Sequence, residues 1–285
     1  MSSERIRGKT TRILVLNPNS SQSMTDGMRA AINDPDLGLP YSTEMHAYTA
    51  LPTAPASIND AADIARSTEV VLADLQSEDR DPGERPSAYD GILVACYSVH
   101  PLVCGLRNSR SAVTGIFEAS VLTALSLLPA PWSLPSSSSS PGSDEQRQQW
   151  GIVTTGKFWE EHLTAGVQAF LGTSSDPRQD PRSRFAGVES TGLNASDFHN
   201  GVPPEVVREK LKGATKRLLK GGRTTVIVMG CAGMTGLEEI IRNAAAEEVG
   251  ERFAYDELHV VDGVRVGVMQ LEIMIKQQRL RGLRG

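Results

Sequence analysis

Short apolar runs rich in β-branched residues alternate with longer amphipathic stretches along most of this chain. Ile13–Leu16 reads as a buried strand, and Ser20–Ile32 after it as a helix with serine and threonine near its start. Glu44–Tyr48 reads as a second strand, and Ile58–Gln76 as a helix carrying Ala61, Ala62, Ile64, Ala65 and Val70. Ile92–Ala95 and Val113–Phe117 follow as strands, the latter leading into a helix over Glu118–Leu128. The pattern resumes with strand Gly151–Thr154, helix Phe158–Leu171, strand Phe185–Glu189 and helix Pro204–Leu219. Strand Thr225–Met229, helix Leu237–Val249, strand Leu258–Val261 and helix Val264–Gln278 complete it. Strands that are apolar throughout, without alternation, are buried on both faces. The pattern therefore predicts an α/β protein whose parallel sheets are covered by helices.

Eight strands fit one sheet or two sheets of four. Two features favour two α/β domains. Pro129–Arg147 carries five consecutive serines with prolines on both sides and falls near mid-chain. Such a segment buries too little apolar area to offset its ordering entropy, so a flexible surface insertion is expected there. A strand that runs directly into a cysteine also occurs once in each half. The expected division is 10–112 and 113–261, with the insertion 129–147 inside the second domain. The C-terminal helix, 262–285, is expected to pack back on the first.

A length of 285 residues suits two modest domains, and 39% hydrophobic with 22% charged residues is a globular balance. The net charge of −5 is spread along the chain without long blocks of one sign. That gives no electrostatic footprint for nucleic acid or an anionic membrane. The basic residues Lys276, Arg279, Arg281 and Arg284 fit the C-terminal end of a helix. No apolar run approaches the roughly 20 residues that span a bilayer, and the polar N-terminal stretch lacks the apolar core of a secretory signal. Three cysteines argue against a disulfide framework. A cytoplasmic protein acting on a small molecule is expected, without nucleic-acid or membrane partners; a homo-oligomer is left open.

Two segments stand out: GILVACYSVHP (Gly91–Pro101) and TVIVMGCAGMTG (Thr225–Gly236). Each is a buried strand ending in a cysteine, then small residues, then a helix. Ligands of open parallel sheets bind beyond the carboxyl ends of strands, so Cys96 and Cys231 are placed where a substrate reaches them. The amides of Ala232 and Gly233 at a helix start are expected to lower the Cys231 thiol pKa and to hold an anion or a carbonyl oxygen. Free cysteine also fills core space, and that reading stands beside the catalytic one. Cys104 lacks a strand-end context and reads as structural, on a helix face. Asn17 and the serines of Asn17-Pro18-Asn19-Ser20-Ser21 either cap the next helix or contact a substrate, and Thr154-Thr155-Gly156 offers the same choice. Tyr97 and Ser98 line the pocket if Cys96 does. Phe117 ends a further strand, where Glu118 either orients a thiol or sits in a first helical turn. His100 is a candidate to raise the thiolate population of Cys96. The histidines show no metal-ligand spacing, and Gly230, Gly233 and Gly236 are not spaced as a dinucleotide fingerprint. No Gly-x-Ser-x-Gly elbow is present. Chemistry without a cofactor is the simplest expectation.

Taken together, NPNSS (Asn17–Ser21), ACYS around Cys96, TGIFEAS (Thr114–Ser120), GIVTTG (Gly151–Gly156), GCAGM (Gly230–Met234) and VDGV (Val261–Val264) resemble the Asp/Glu/hydantoin racemase superfamily. Within it the resemblance is to the hydantoin racemase branch, including fungal members linked to allantoin use. It runs in order from about residue 12 to 278, interrupted by the serine-rich insertion. It implies two pseudo-symmetric α/β domains with the active site in the cleft between them, and a cofactor-independent two-base mechanism. Cys96 and Cys231 match the paired catalytic cysteines. The expected substrate is allantoin or a 5-substituted hydantoin, whose developing charge on oxygen would meet the amides around Tyr97–Ser98 and Ala232–Gly233, with Asn17 contributing its side chain. Bacterial hydantoin racemases tend to read phenylalanine, glycine, aspartate, proline after the first cysteine; here Tyr97-Ser98-Val99-His100-Pro101 is more polar at Ser98 and lacks the acid. GCAGM also lacks the histidine that follows the second cysteine of glutamate racemases, which favours an uncharged ring over an amino acid. An Asp/Glu-type amino-acid racemase and a non-catalytic small-ligand-binding relative are the alternatives.

Overall fold

The computed structural model describes residues 10–40, 42–107, 110–130, 148–173, 183–198 and 201–282. All but the first two residues of the expected insertion at 129–147 lie outside the described residues. Among the described residues, eight strands form two four-stranded, wholly parallel sheets. The first contains β1 (Thr11–Asn17), β2 (Thr43–Thr49), β3 (Gly91–Val94) and β4 (Ala112–Gly115), in the spatial order β2-β1-β3-β4. The second contains β5 (Gln149–Thr154), β6 (Phe185–Ser190), β7 (Thr224–Gly230) and β8 (His259–Asp262), in the order β6-β5-β7-β8. The two sheets share one strand order.

The helices are α1 (Gln22–Ile32), α2 (Ala61–Leu75), the single turn α3 (Leu102–Gly105), α4 (Ile116–Leu127), α5 (Phe158–Leu171), α6 (Pro204–Leu219), α7 (Glu238–Glu248) and α8 (Gly263–Gly282). Their starts follow local chemistry. Ser21 caps α1 by accepting from the Met24 amide, and Asp60 caps α2 by accepting from the Asp63 amide. Met24, Met28, Ala31 and Ile32 of α1 are buried, the one-sided spacing of a helix laid on a sheet. In β3, Ile92, Leu93 and Val94 are wholly enclosed, as expected of a central strand covered on both faces.

The last helix joins the two halves. It starts directly after β8, where Asp262 Oδ1 accepts from the amides of Val264 (2.7 Å) and Arg265 (3.1 Å). It then lies on the first sheet: Leu271 and Ile275 pack over Gly91, and Gly267 sits against Leu93. Thr43 donates to Glu272 (2.9 Å), and Arg279 donates to Thr11 (2.9 Å), pinning the far end. One hydrophobic cluster accordingly contains residues of both sheets, among them Val15, Leu93, Ile152 and Val228, together with Val264, Val268 and Leu271 of α8.

One boundary differs from the pattern-based expectation. The fourth strand ends at Gly115 and the helix begins at Ile116, so Phe117 lies in the first turn of α4 instead of at a strand end. A run of Val113, Thr114, Ile116 and Phe117 reads alike as buried strand and as buried helix, and periodicity does not separate the two. The division expected at 112/113 also cuts through β4, which pairs with β3 along Ala112–Gly115; the boundary between the sheets falls after it.

A Cβ at position 267 would stand 2.5 Å from Leu93 Cδ1 and 2.8 Å from its Cδ2. Gly267→Val is expected to overpack this seam and to lower stability by about 2 kcal/mol, read as a lower urea midpoint. An unchanged midpoint would mean that Leu93 swings aside freely.

Candidate active site

In an open parallel sheet a crevice forms beyond the carboxyl ends of two neighbouring strands whose connections leave in opposite directions. In the first sheet these strands are β1 and β3, and in the second β5 and β7. The loops after these four strands meet in one pocket. Asn19 comes from the loop after β1, Cys96 and Tyr97 from that after β3, Thr155 from that after β5, and Cys231, Ala232 and Gly233 from that after β7. Met24 of α1, Trp159 of α5, Ile58 and Ala195 add an apolar wall, and among the described residues no charged side chain lines the pocket. The pocket is narrow, with about 30 Å³ open to the centres of water-sized molecules.

Both cysteines are partly buried, and protein donors are directed at each sulfur. Ser98 donates its hydroxyl to Cys96 Sγ (3.5 Å), while the Ser98 amide is turned to the Cys96 carbonyl (3.0 Å). Cys231, with extended backbone at φ −162°, caps the short 3₁₀ turn Ala232–Met234, and its Sγ accepts from the Gly233 amide (3.3 Å). Burial nevertheless outweighs these donors. It pushes the Cys96 thiol up to about 12, with the Ser98 bond opposing and the neighbouring Cys231 adding to the rise. It pushes Cys231 up to about 11, against the lowering effect of the Gly233 and Met234 amides. The lowered pKa expected from a helix start is thus corrected: three residues of 3₁₀ turn carry little dipole, and desolvation of the thiolate costs more.

Tyr97, Thr155, Ala232 and Gly233 line the pocket with the two thiols, as the strand-end argument anticipates. Asn17, Ser98, Phe117 and Thr154 do not. Asn17 is wholly buried and donates to Asn19 Oδ1, the Ser21 carbonyl and Thr25 Oγ1 (3.0 Å each), so it builds the loop that presents Asn19. Thr154 donates to the Gly230 carbonyl (2.9 Å), tying the end of β5 to the residue before Cys231. Ser98 stands behind Cys96. Phe117 supports Tyr97 edge-on, at 5.6 Å between ring centres. His100 does not serve a thiol: its Nδ1 accepts from the Leu102 amide, its Nε2 faces Ser67, and burial lowers its pKa to about 4, leaving it neutral. Glu118 lies in the first turn of α4, where burial pushes its carboxyl up, and neither sulfur feels it among the main influences. Cys104, expected to be structural, is exposed on α3.

Four wall residues escape the sequence argument: Met24, Ile58, Trp159 and Ala195. Trp159 had a usable signal, since it stands in the first turn of the helix that follows a strand-end loop. The others come from a helix or loop that only packing brings to the pocket. Among the described residues no group of three or more His, Cys, Asp or Glu is arranged to hold a metal ion, and no helix is long and apolar enough to cross a membrane.

A protein of Schizosaccharomyces pombe of uncharacterised function is 30% identical over 275 residues, covering 96% of each chain. In fold, the chain is similar to allantoin racemase from Klebsiella pneumoniae, with a TM-score of 0.68, 22% identity and coverage of 94% of this chain and 88% of that one. It is also similar to allantoin racemase from Pseudomonas fluorescens, with a TM-score of 0.67, 22% identity and coverage of 94% and 92%. The sequence model of the family described as Asp/Glu/Hydantoin racemase matches residues 13–271. With nearly the whole chain matched, including both cysteine-bearing loops, this protein belongs to the Asp/Glu/hydantoin racemase family and is an isomerase of the racemase type.

Proposed function

We propose that the chain racemises a cyclic ureide, allantoin or a 5-substituted hydantoin, by two-base proton transfer between Cys96 and Cys231. The observation that carries this reading is the meeting of two thiols, one from each sheet, in a pocket without a charged side chain. An α-amino acid brings a carboxylate and an ammonium, whose burial without partners is costly, whereas a hydantoin ring is neutral. The allantoin racemases of similar fold are consistent with it.

In the proposed reaction one cysteine, as thiolate, takes the proton from the ring carbon C5. The electron pair left behind delocalises into the adjacent ring carbonyl, so that charge develops on its oxygen. The other cysteine, as thiol, delivers its proton to the opposite face of C5. The two cysteines thereby exchange protonation states, and the next turnover runs from the other enantiomer. The Ser98 and Gly233 amides are already engaged, so we assign the amides of Tyr97 and Ala232 as donors to the oxyanion. Trp159, Ile58 and Met24 provide a dry wall that strengthens those bonds.

Optical-rotation decay of enantiopure allantoin in neutral buffer, with a 5-alkylhydantoin and L-glutamate in parallel, tests the substrate class. Enzyme-dependent decay above the uncatalysed rate is expected for a ureide and not for glutamate. Decay with glutamate alone would reverse the assignment. Cys96→Ser and Cys231→Ser are each expected to lower kcat by about 10²–10⁴-fold, the range for loss of an acid–base group, with unchanged circular dichroism. A folded variant that kept wild-type turnover would remove that cysteine from the mechanism. Cys104→Ser is expected to turn over normally.

The raised thiol pKa values also set a pH dependence. Each group is protonated at neutral pH and loses its proton only as pH climbs towards 11 or 12. The thiolate fraction therefore grows about tenfold per pH unit from neutrality upward, and kcat/KM is expected to climb with it between pH 7 and pH 9. A flat profile there would show that the titrating base is not one of these thiols.

A further inference from the structure

Arg265 stands in the first turn of α8, where the chain leaves the second sheet and starts across to the first. Its Nη2 lies 2.9 Å from Asp34 Oδ2, and its Nη1 lies 3.5 Å from Glu238 Oε1. The two acids sit on elements that reach the pocket from different sheets. Asp34 follows the C-terminal end of α1, the helix that carries Met24 into the pocket. Glu238 opens α7, directly after the loop that carries Cys231. The same α1 packs against the Ala232–Met234 turn.

The electrostatics are unbalanced without the guanidinium. Asp262 is 5% exposed, and while one of its carboxylate oxygens caps α8, the other has no hydrogen-bond partner among the described residues. Asp34 and Glu238 thus share the Arg265 guanidinium, while Asp262 accepts from backbone amides at the start of the same helix. Burial, with the charge of Asp262 behind it, pushes the Glu238 carboxyl up, and the Arg265 charge opposes that rise. Arg265, Asp34 and Glu238 are each only partly exposed, so bulk water and salt screen these pairs less than an open surface pair.

The pocket itself supplies the reason such a tie matters. Its open space of about 30 Å³ holds one or two water molecules. In so narrow a site the spacing of the elements that carry Met24 and Cys231 sets how a ring meets the two sulfurs.

We infer that Arg265 is a positioning residue, its pairs to Asp34 and Glu238 holding the end of α1 and the start of α7 at the spacing at which Cys96 and Cys231 address one substrate from opposite faces. The inference rests on the two-thiol reading of the site for its catalytic consequence, but its geometric content stands without it. A displacement of about 1 Å at the reacting groups costs up to about 10²-fold in rate, so a loosened tie registers in turnover although Arg265 touches no substrate.

The test uses full-length protein in a Cys104→Ser background and dibromobimane, which fluoresces fully only when it bridges two thiols. Arg265→Met is expected to slow bridging of Cys96 to Cys231 and to lower kcat/KM about tenfold, the scale of a coupling between residues in contact. Arg265→Lys, which keeps the charge, is expected to recover most of both. Asp34→Asn leaves the Glu238 pair intact and provides a variant if Arg265→Met does not fold. It is expected to slow bridging as well, with no further loss when combined with Arg265→Met. Bridging at the wild-type rate in folded Arg265→Met or Asp34→Asn would overturn the inference, as would an Arg265→Lys variant no better than Arg265→Met. Slowed bridging in a protein that racemises none of the carbon acids tried would leave the tie standing and overturn the catalytic reading instead.

Discussion

The site depends on the packing of one helix, α8, across a sheet to which it is not joined by adjacent sequence. It leaves the second sheet at Asp262 and presses Gly267 against Leu93 and Leu271 and Ile275 over Gly91 in the first. Close approach is possible because glycine stands at both contact points, where any Cβ would meet leucine or isoleucine methyl groups. That seam joins two sheets of the same strand order into one hydrophobic cluster. With the sheets held so, the crevice of each faces the other, and two thiols far apart in sequence share one pocket.

The loops that line the pocket are braced by buried hydrogen bonds. Asn17 uses its side-chain amide on three acceptors within its own loop and α1, and so sets the position of Asn19. Thr154 joins β5 to the carbonyl of Gly230, immediately before Cys231. At Gly230 a Cβ would stand 2.6 Å from Ile152 Cγ2 and 2.9 Å from the Val153 carbonyl oxygen, so only glycine lets β7 approach β5 this closely there. A buried polar group without its partner costs more than the partner bond itself gains, and such networks therefore hold one geometry.

Burial gives the thiols a particular character. A desolvated thiol with a pKa near 11 or 12 is scarce as thiolate at neutral pH but is a strong base when formed. A ring proton activated by an adjacent carbonyl suits such a base. The proposed reaction suits the uncharged lining, since among the described residues no fixed cation or anion there would compete with amides at a developing oxyanion, and the Arg265 pairs keep their charges outside the lining.

The amino-acid sequence by itself determined the alternation of strand and helix, the parallel α/β class and the strand-end placement of Cys96 and Cys231, and it offered Tyr97, Thr155, Ala232 and Gly233 beside them without separating these from Asn17, Ser98, Phe117 and Thr154. Those features are local: apolar runs without alternation mark enclosed strands, and loops at their carboxyl ends open toward ligands. Tertiary structure decided the rest. It assigned Val113–Phe117 partly to a strand and partly to a helix, which apolar periodicity leaves undivided. It turned Asn17 and Thr154 inward as loop braces and put Asn19 and Trp159 at the pocket. It raised the thiol pKa values where the helix-start argument expected them lowered, because desolvation depends on how much protein encloses a sulfur, and that is a property of the assembled walls and not of the residues beside it in the chain.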